Sequence, residues 1–113
     1  MKYMLLICTD GSVTLSEEER AAIPSATEAW VNEMDSSGVR LIGDQLSPSS
    51  DATTVRVRDG DVLLADGPFA ETKEQIAGFD IIECSDLDQA LEVAAKHPVA
   101  GFGMIEVRPF WPE

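Results

Sequence analysis

The chain has 113 residues, 44 % hydrophobic and 26 % charged, a composition and length that fit one globular domain. Lys and Arg number 8 against 21 Asp and Glu, a formal net charge of −13, with the basic residues scattered along the chain. Such a surface repels phosphate backbones and anionic headgroups, which excludes nucleic acid and anionic membrane as direct partners and admits a basic protein or a neutral or cationic small molecule.

No apolar run approaches the roughly 20 residues of a membrane span. The opening "MKYMLLICTDG" lacks the length and the small-residue cleavage site of a signal peptide, so the expected location is the cytoplasm. Residues 3–8, "YMLLIC", form a continuous apolar run, predicting a strand buried on both faces. Ser16 and Glu19 then make the S-x-x-E capping box, and Glu17, Glu18 and Glu19 suit the positive end of a helix dipole. Ile23, Ala26, Ala29, Trp30 and Met34 follow helical spacing. Pro24 removes one hydrogen bond there and predicts a kink or two short helices.

Residues 39–46, "VRLIGDQL", read as a second strand and "SPSSDA" as a polar loop. "TTVRVR" alternates strictly, as a strand wetted on one face does. Asp59-Gly60 predicts a tight type I′ hairpin turn, with "DVLLA" as the returning strand. "GFDIIEC" is another apolar strand. Ser85 is expected to cap the next helix, whose apolar stripe is Leu87, Ala90, Leu91, Ala94 and Ala95. Lys96 and His97 suit its negative end, and Pro98 stops it. "GMIEVR" is the last strand, before a tail carrying Phe110 and Trp111.

With the central hairpin set aside, the order is β-α-β-β-α-β, an α+β ferredoxin-like arrangement. The strands "YMLLIC" and "GFDIIEC" are expected to lie side by side and parallel. Cys8 and Cys84 would then sit at one edge as reduced, packed thiols. With one His and no CxxC, a Cys/His metal site is not expected. No Gly-rich phosphate loop is present either, and the expectation is a protein without cofactor. Two helices cover one face of such a sheet and leave the other bare, which predicts a homodimer packed face to face, with the Phe110-Trp111 tail across the partner.

Between "DVLLA" and "GFDIIEC" lies "DGPFAETKEQ", longer than a plain connection needs. Asp66 before Gly67-Pro68 suits an Asx-turn, in which its carboxylate accepts backbone N–H groups. Gly67 and Pro68 shape the turn, Phe69 reads as a core plug, and Glu71, Lys73 and Glu74 read as a solvated face. A functional reading stands beside this one. A carboxylate held in apolar surroundings becomes usable as a general acid or base, which makes Asp66 the candidate catalytic group. Lys73, the one cation of the motif, would orient an anionic group of a substrate.

"DGPFAETKEQ" with "AGFDIIE", the opening "MKYMLLI", the hairpin "ATTVRVRDG" and the ending "IEVRP" closely resemble the YCII-related, or DGPF-domain, proteins. The resemblance runs from Met1 to about Pro109. It implies a dimeric α+β barrel of two ferredoxin-like subunits, without assigning a reaction. Some relatives carry a His–Asp pair proposed as a catalytic dyad, whose Asp matches Asp66. The matching His is absent, since residues 9–22 contain none. Asp80 is a second departure, standing where relatives carry an aromatic. The binding residues that the motif implies are Gly67, Pro68, Phe69, Glu71 and Asp80. Members of this branch are often encoded beside alternative sigma factors, which implies a regulatory protein partner as the alternative to a small-molecule ligand.

Overall fold

The structure, a computed structural model, describes residues 1–112. Its elements are β1 (Lys2–Asp10), α1 (Glu17–Ser36), β2 (Arg40–Gln45), β3 (Thr53–Arg58), β4 (Asp61–Asp66), β5 (Glu74–Glu83), α2 (Leu87–Ala95) and β6 (Met104–Pro109), with short 3₁₀ turns at Ser49–Asp51 and Pro98–Gly101. β2, β5, β1 and β6 make one four-stranded sheet in that order, and β3 and β4 make a separate two-stranded hairpin. This is the expected α+β ferredoxin-like order with an inserted hairpin.

Every pairing in the sheet is antiparallel, including β1 with β5. The expectation of a parallel central pair is therefore corrected. A split βαβ unit makes β1 parallel to β2, and β5 inserts between them with the opposite direction. The cysteines part company for the same reason. Cys8 lies opposite Ile76 and Met104, while the Cys84 N–H donates to the Met1 carbonyl at the other end of β1. Seven residues of strand separate the two ends, roughly 23 Å. Burial raises the pKa of both thiols, which keeps them protonated.

Alternation along β1 and β5 sends Tyr3, Leu5, Ile7 and Ile82 to one face, where they pack with Trp30, Met34, Ala90, Val93, Ala94 and Val99. The Trp30 Nε1–H donates to the Val93 carbonyl at 3.0 Å and ties the two helices together. The opposite face carries Met4, Leu6 and Cys8 of β1, Phe79 and Ile81 of β5, Ile42 of β2 and Met104 of β6, with no helix over it. A thickness of 19 Å along the shortest axis is that of one sheet and one helix layer.

The α1 capping box forms as expected. Glu19 N–H donates to Ser16 Oγ at 3.1 Å, and Ser16 N–H donates to Glu19 Oε1 at 3.0 Å. One continuous helix spans Pro24, so the expected division into two helices does not occur. Pro24 and Arg20 both face solvent, and water satisfies the carbonyl that loses its donor. Only the second half of α1 is seated on the sheet. Trp30 and Met34 are buried, Ile23 is half-buried, and Ala26 and Ala29 are exposed.

Three expectations around α2 are revised. Asp86, not Ser85, is the N-cap, its carboxylate accepting Gln89 N–H at 2.9 Å, while Ser85 bonds the Gln89 side chain. The buried stripe is Ala90, Val93 and Ala94, with Leu87 and Leu91 each 47 % exposed. Two helical stripes share Ala90 and Ala94, so spacing alone did not choose between them. His97 does not sit at the helix end as a charged cap. It is buried, its ring edge-on to Trp30 at 4.7 Å between centroids, and its Nδ1 accepts Val99 N–H at 3.1 Å. Burial lowers its pKa, so it is held as the neutral imidazole.

Candidate functional site

The hairpin turn places both Asp59 (φ 52°) and Gly60 (φ 81°) at positive φ, as a type I′ turn requires. β4 then ends at Asp66, and Gly67 turns the chain with φ 96°, a conformation that favours glycine. The turn is pinned to the base of β3. Gly67 N–H donates to the Ala52 carbonyl at 2.7 Å, and Thr54 Oγ1 donates to the Gly67 carbonyl at 2.8 Å. Among the described residues no side-chain hydrogen bond reaches the Asp66 carboxylate, so the Asx-turn that its position suggested is not formed. Thr54 fixes this turn instead.

The second half of the loop has its own ties. Thr72 Oγ1 donates to the Glu74 carbonyl at 2.6 Å, and Gln75 Nε2 donates to the Thr72 carbonyl at 2.7 Å. Gly11 N–H donates to the Lys73 carbonyl at 2.8 Å and fastens the loop to the end of β1. These anchors leave the loop facing the 47–52 segment across an open cleft of about 690 Å³. Leu46, Pro48, Phe69 and Ile76 give it apolar walls, and Thr54 and Glu74 are among its polar groups. An acidic recess of about 400 Å³ adjoins it, lined by Ser49, Ser50, Asp66, Glu71, Thr72 and Gln75 among others. Pro68 and Thr72 border both.

The motif residues divide between this cleft and the body of the fold. Asp66, Gly67, Pro68 and Glu71 border the recess, and Phe69 borders the cleft. Phe69 is 79 % exposed and is not the core plug expected of it. Lys73 lines neither cavity. Its charge acts on Asp10, whose carboxyl is held below the ordinary carboxylate value mainly by hydrogen bonds from the Ser12 hydroxyl and N–H, with Lys73 adding to them.

Asp80 also lies elsewhere. It is 5 % exposed on the helix-covered face, where Arg40 Nε donates to its Oδ1 at 2.7 Å. The same guanidinium donates to the Gly43 carbonyl at 2.7 Å and to Asp35 at 3.2 Å. A Cβ on Gly43 would fall 1.9 Å from the Asp80 carboxylate, so the glycine is what makes room for the ion pair. Burial raises the Asp80 pKa against the opposing pull of Arg40. Burial also lowers that of Arg40, but the hydrogen bonds and charges of Asp80 and Asp35 outweigh this and leave it raised. The short Arg40–Asp80 contact makes this a buried ion pair.

The serines of the 47–52 segment form the wall opposite the motif, and sequence reasoning had treated them only as a polar loop. Their signal was position: a Ser-Pro-Ser-Ser run directly after one sheet strand and before the hairpin whose far end carries the motif. Neither cavity is lined by a Lys or Arg. Among the described residues no three His, Cys, Asp or Glu side chains converge to hold a metal ion, and no helix is long and apolar enough to cross a membrane.

The fold is shared with a solved protein of different sequence. The 5-chloro-2-hydroxyhydroquinone dehydrochlorinase of Burkholderia phenoliruptrix AC1100, solved in complex with 2,5-dihydroxybenzoquinone, superposes with a TM-score of 0.52 at 14 % identity, covering 98 % of this chain and 94 % of that one. An uncharacterized protein of Rhizobium meliloti (strain 1021) is 38 % identical over 113 residues, 96 % of this chain and 91 % of its own length. The family model for the YCII-related domain matches residues 1–113. The chain belongs to the YCII-related domain family.

Proposed function

We propose that the protein is a homodimer that binds a small, neutral or cationic ring compound in the cleft beside the DGPF loop. The observation that carries this is the pairing of an apolar cleft of about 690 Å³ with an acidic recess at one end. That size is in the range of small-molecule sites, which combine apolar walls with a few polar groups that set orientation. Phe69, Leu46 and Ile76 would hold a flat ring. Asp66 and Glu71 would accept hydrogen bonds from its hydroxyl or amino groups. With carboxylates in the lining and no cation, an anionic group is disfavoured, and Lys73 serves the loop's attachment to β1. Asp66 is exposed at the rim. We therefore assign it ligand contact ahead of general acid–base work.

Dimerisation is proposed on the bare sheet face, where Ile42, Ile76 and Met104 are 58, 42 and 38 % exposed on one chain. Trp111, 93 % exposed, and Phe110 extend from the end of β6 and would lie on the partner.

The test is thermal unfolding of wild type and Asp66→Asn with a panel of neutral hydroxylated and amino-substituted aromatic rings. A ligand at 100 times its Kd stabilises a protein by about 2.7 kcal/mol, a shift of several degrees at this size. Asp66→Asn is expected to lose most of that shift and to keep the melting temperature of the free protein. Failure of both proteins to respond to any ring compound would contradict the proposal. The acidic surface would then be read as a docking face for a basic protein.

A further inference from the structure

Around the cleft and its recess, side-chain donors are spent on the loop's own backbone and acceptors are left over. Thr54 Oγ1 donates to the Gly67 carbonyl, and Thr72 Oγ1 donates to the Glu74 carbonyl. Gln75 borders both cavities, and its Nε2 donates to the Thr72 and Ala70 carbonyls at 2.7 and 3.4 Å. Those bonds fix the orientation of the amide, whose Oε1 bonds to no described residue. Among the side chains of the recess, the Ser49 and Ser50 hydroxyls are the donors that remain uncommitted.

Against them stand the carboxylates of Asp66 and Glu71. A Cβ on Gly67 would lie 3.8 Å from Glu71 Oε1, which sets that carboxylate over the turn directly after Asp66. Asp51 and Glu74 add two more acids to the lining of the cleft. Every ion pair among the described residues involves other acids. Acids on open surface would form only a solvated patch. These close the polar end of an apolar cleft, and a cleft lined by one sign of charge concentrates its field on whatever enters.

We propose that the group seated in the recess is a protonated amine, so that the ligand is a ring carrying an ammonium group. The inference rests on the ring-binding cleft proposed above and narrows its ligand. A hydroxyl brings one donor and adds lone pairs to a recess already rich in acceptors. An ammonium brings three donors, no acceptor and the charge opposite to the lining. Its bonds to carboxylates are roughly twice as strong as those between neutral groups. The net charge of −13 attracts the same ion at longer range. The apolar walls at Leu46, Phe69 and Ile76 favour a ring amine over a bare alkyl one.

The test is an amide chemical-shift titration of three proteins with two probes of one shape, benzylamine and benzyl alcohol. The proteins are wild type, the recess variant Asp66→Asn/Glu71→Gln, and the control Glu28→Gln/Glu92→Gln. The control makes the same change in net charge at exposed helix positions away from the cleft. On wild type and control, benzylamine is expected to bind the cleft segments at least about tenfold more tightly than benzyl alcohol. On the recess variant its affinity should fall to that of the alcohol on wild type, or below. Wild type also gives a readout free of substitution, since raising the salt from about 0.02 M to about 0.5 M should narrow the gap between the probes. Equal affinities on wild type would overturn the ammonium and leave the cleft a site for neutral rings. An undiminished preference in the recess variant would overturn it too, by placing the amine elsewhere. Shifts at the cleft from neither probe would overturn this inference and the cleft reading together.

Discussion

Replacing Arg40 with Met is expected to destabilise the protein by about 3–5 kcal/mol, the penalty of leaving one member of a buried ion pair without its partner. Its side chain is 14 % exposed and that of Asp80 is 8 % exposed, so water cannot take over from the lost guanidinium. The Gly43 carbonyl and Asp35 lose a donor in the same substitution. For a chain of this length the melting temperature should fall by roughly 10–20 °C.

The effect has a pH signature. Burial already raises the Asp80 pKa above its ordinary 3.8, and without Arg40 it rises further. A carboxyl with a raised folded pKa contributes stability that is fully present below the unfolded value and lost as pH climbs through the folded value. Arg40→Met should therefore recover stability as the pH is lowered from 7 toward 4. Adding Asp80→Leu should restore much of the loss at neutral pH, since an apolar pair replaces the ions. Thermal unfolding of the single and double variants across that range checks both statements. A loss of less than about 1 kcal/mol at pH 7 would show that Asp80 finds water or another donor.

His97→Ala carries the second large effect, an expected loss of about 2–4 kcal/mol at neutral pH. The substitution leaves Val99 N–H without its acceptor and opens a void against the Trp30 ring. The histidine should also mark the acid limb of the stability curve. Its folded pKa is lowered by burial from the ordinary 6.5. The unfolded chain thus binds the proton first, so the stability His97 contributes is present above 6.5 and lost as pH falls through the folded value. Asp80 acts with the opposite sign. The contribution of the histidine is therefore read from the difference between wild type and His97→Gln, which retains an acceptor and does not titrate. If both proteins lose stability in parallel below pH 6.5, the neutral buried imidazole is not the cause.

Much of the architecture was legible because it depends on local chemistry. The Ser16–Glu19 box and the Asp59-Gly60 turn use short-range rules and lie where those rules put them, while "TTVRVR" forms the expected strand but is wetted on both faces, Val55 and Val57 being exposed along with Arg56 and Arg58. What failed depended on choices that local rules leave open. α2 had two candidate stripes, and only its packing on β6 and against Trp30 of α1 selects the one with Val93. Strand direction in the sheet follows from the whole βαβ path, and the supposed nearness of Cys8 and Cys84 fell with it.

The candidate site was half legible. The motif announced Asp66, Phe69 and Glu71, of which the loop presents Phe69 to the cleft and Asp66 and Glu71 to the adjoining recess. Asp80 was grouped with them because it stands near the motif in sequence. Its partners are Arg40 and Gly43 on the neighbouring strand, a relation that appears only once β2 is paired with β5. The facing serines at 49 and 50 were overlooked for the same reason, since no rule of spacing links a loop to the far end of the hairpin that follows it.

The most direct measurement is amide chemical-shift mapping of the wild-type protein titrated with neutral dihydroxybenzenes such as catechol and hydroquinone. The account predicts saturable shifts concentrated at Leu46–Thr54 and Asp66–Ile76, with the helix-covered face unmoved. Saturable shifts centred on the body of the sheet or on the helices, with both cleft segments silent, would contradict it.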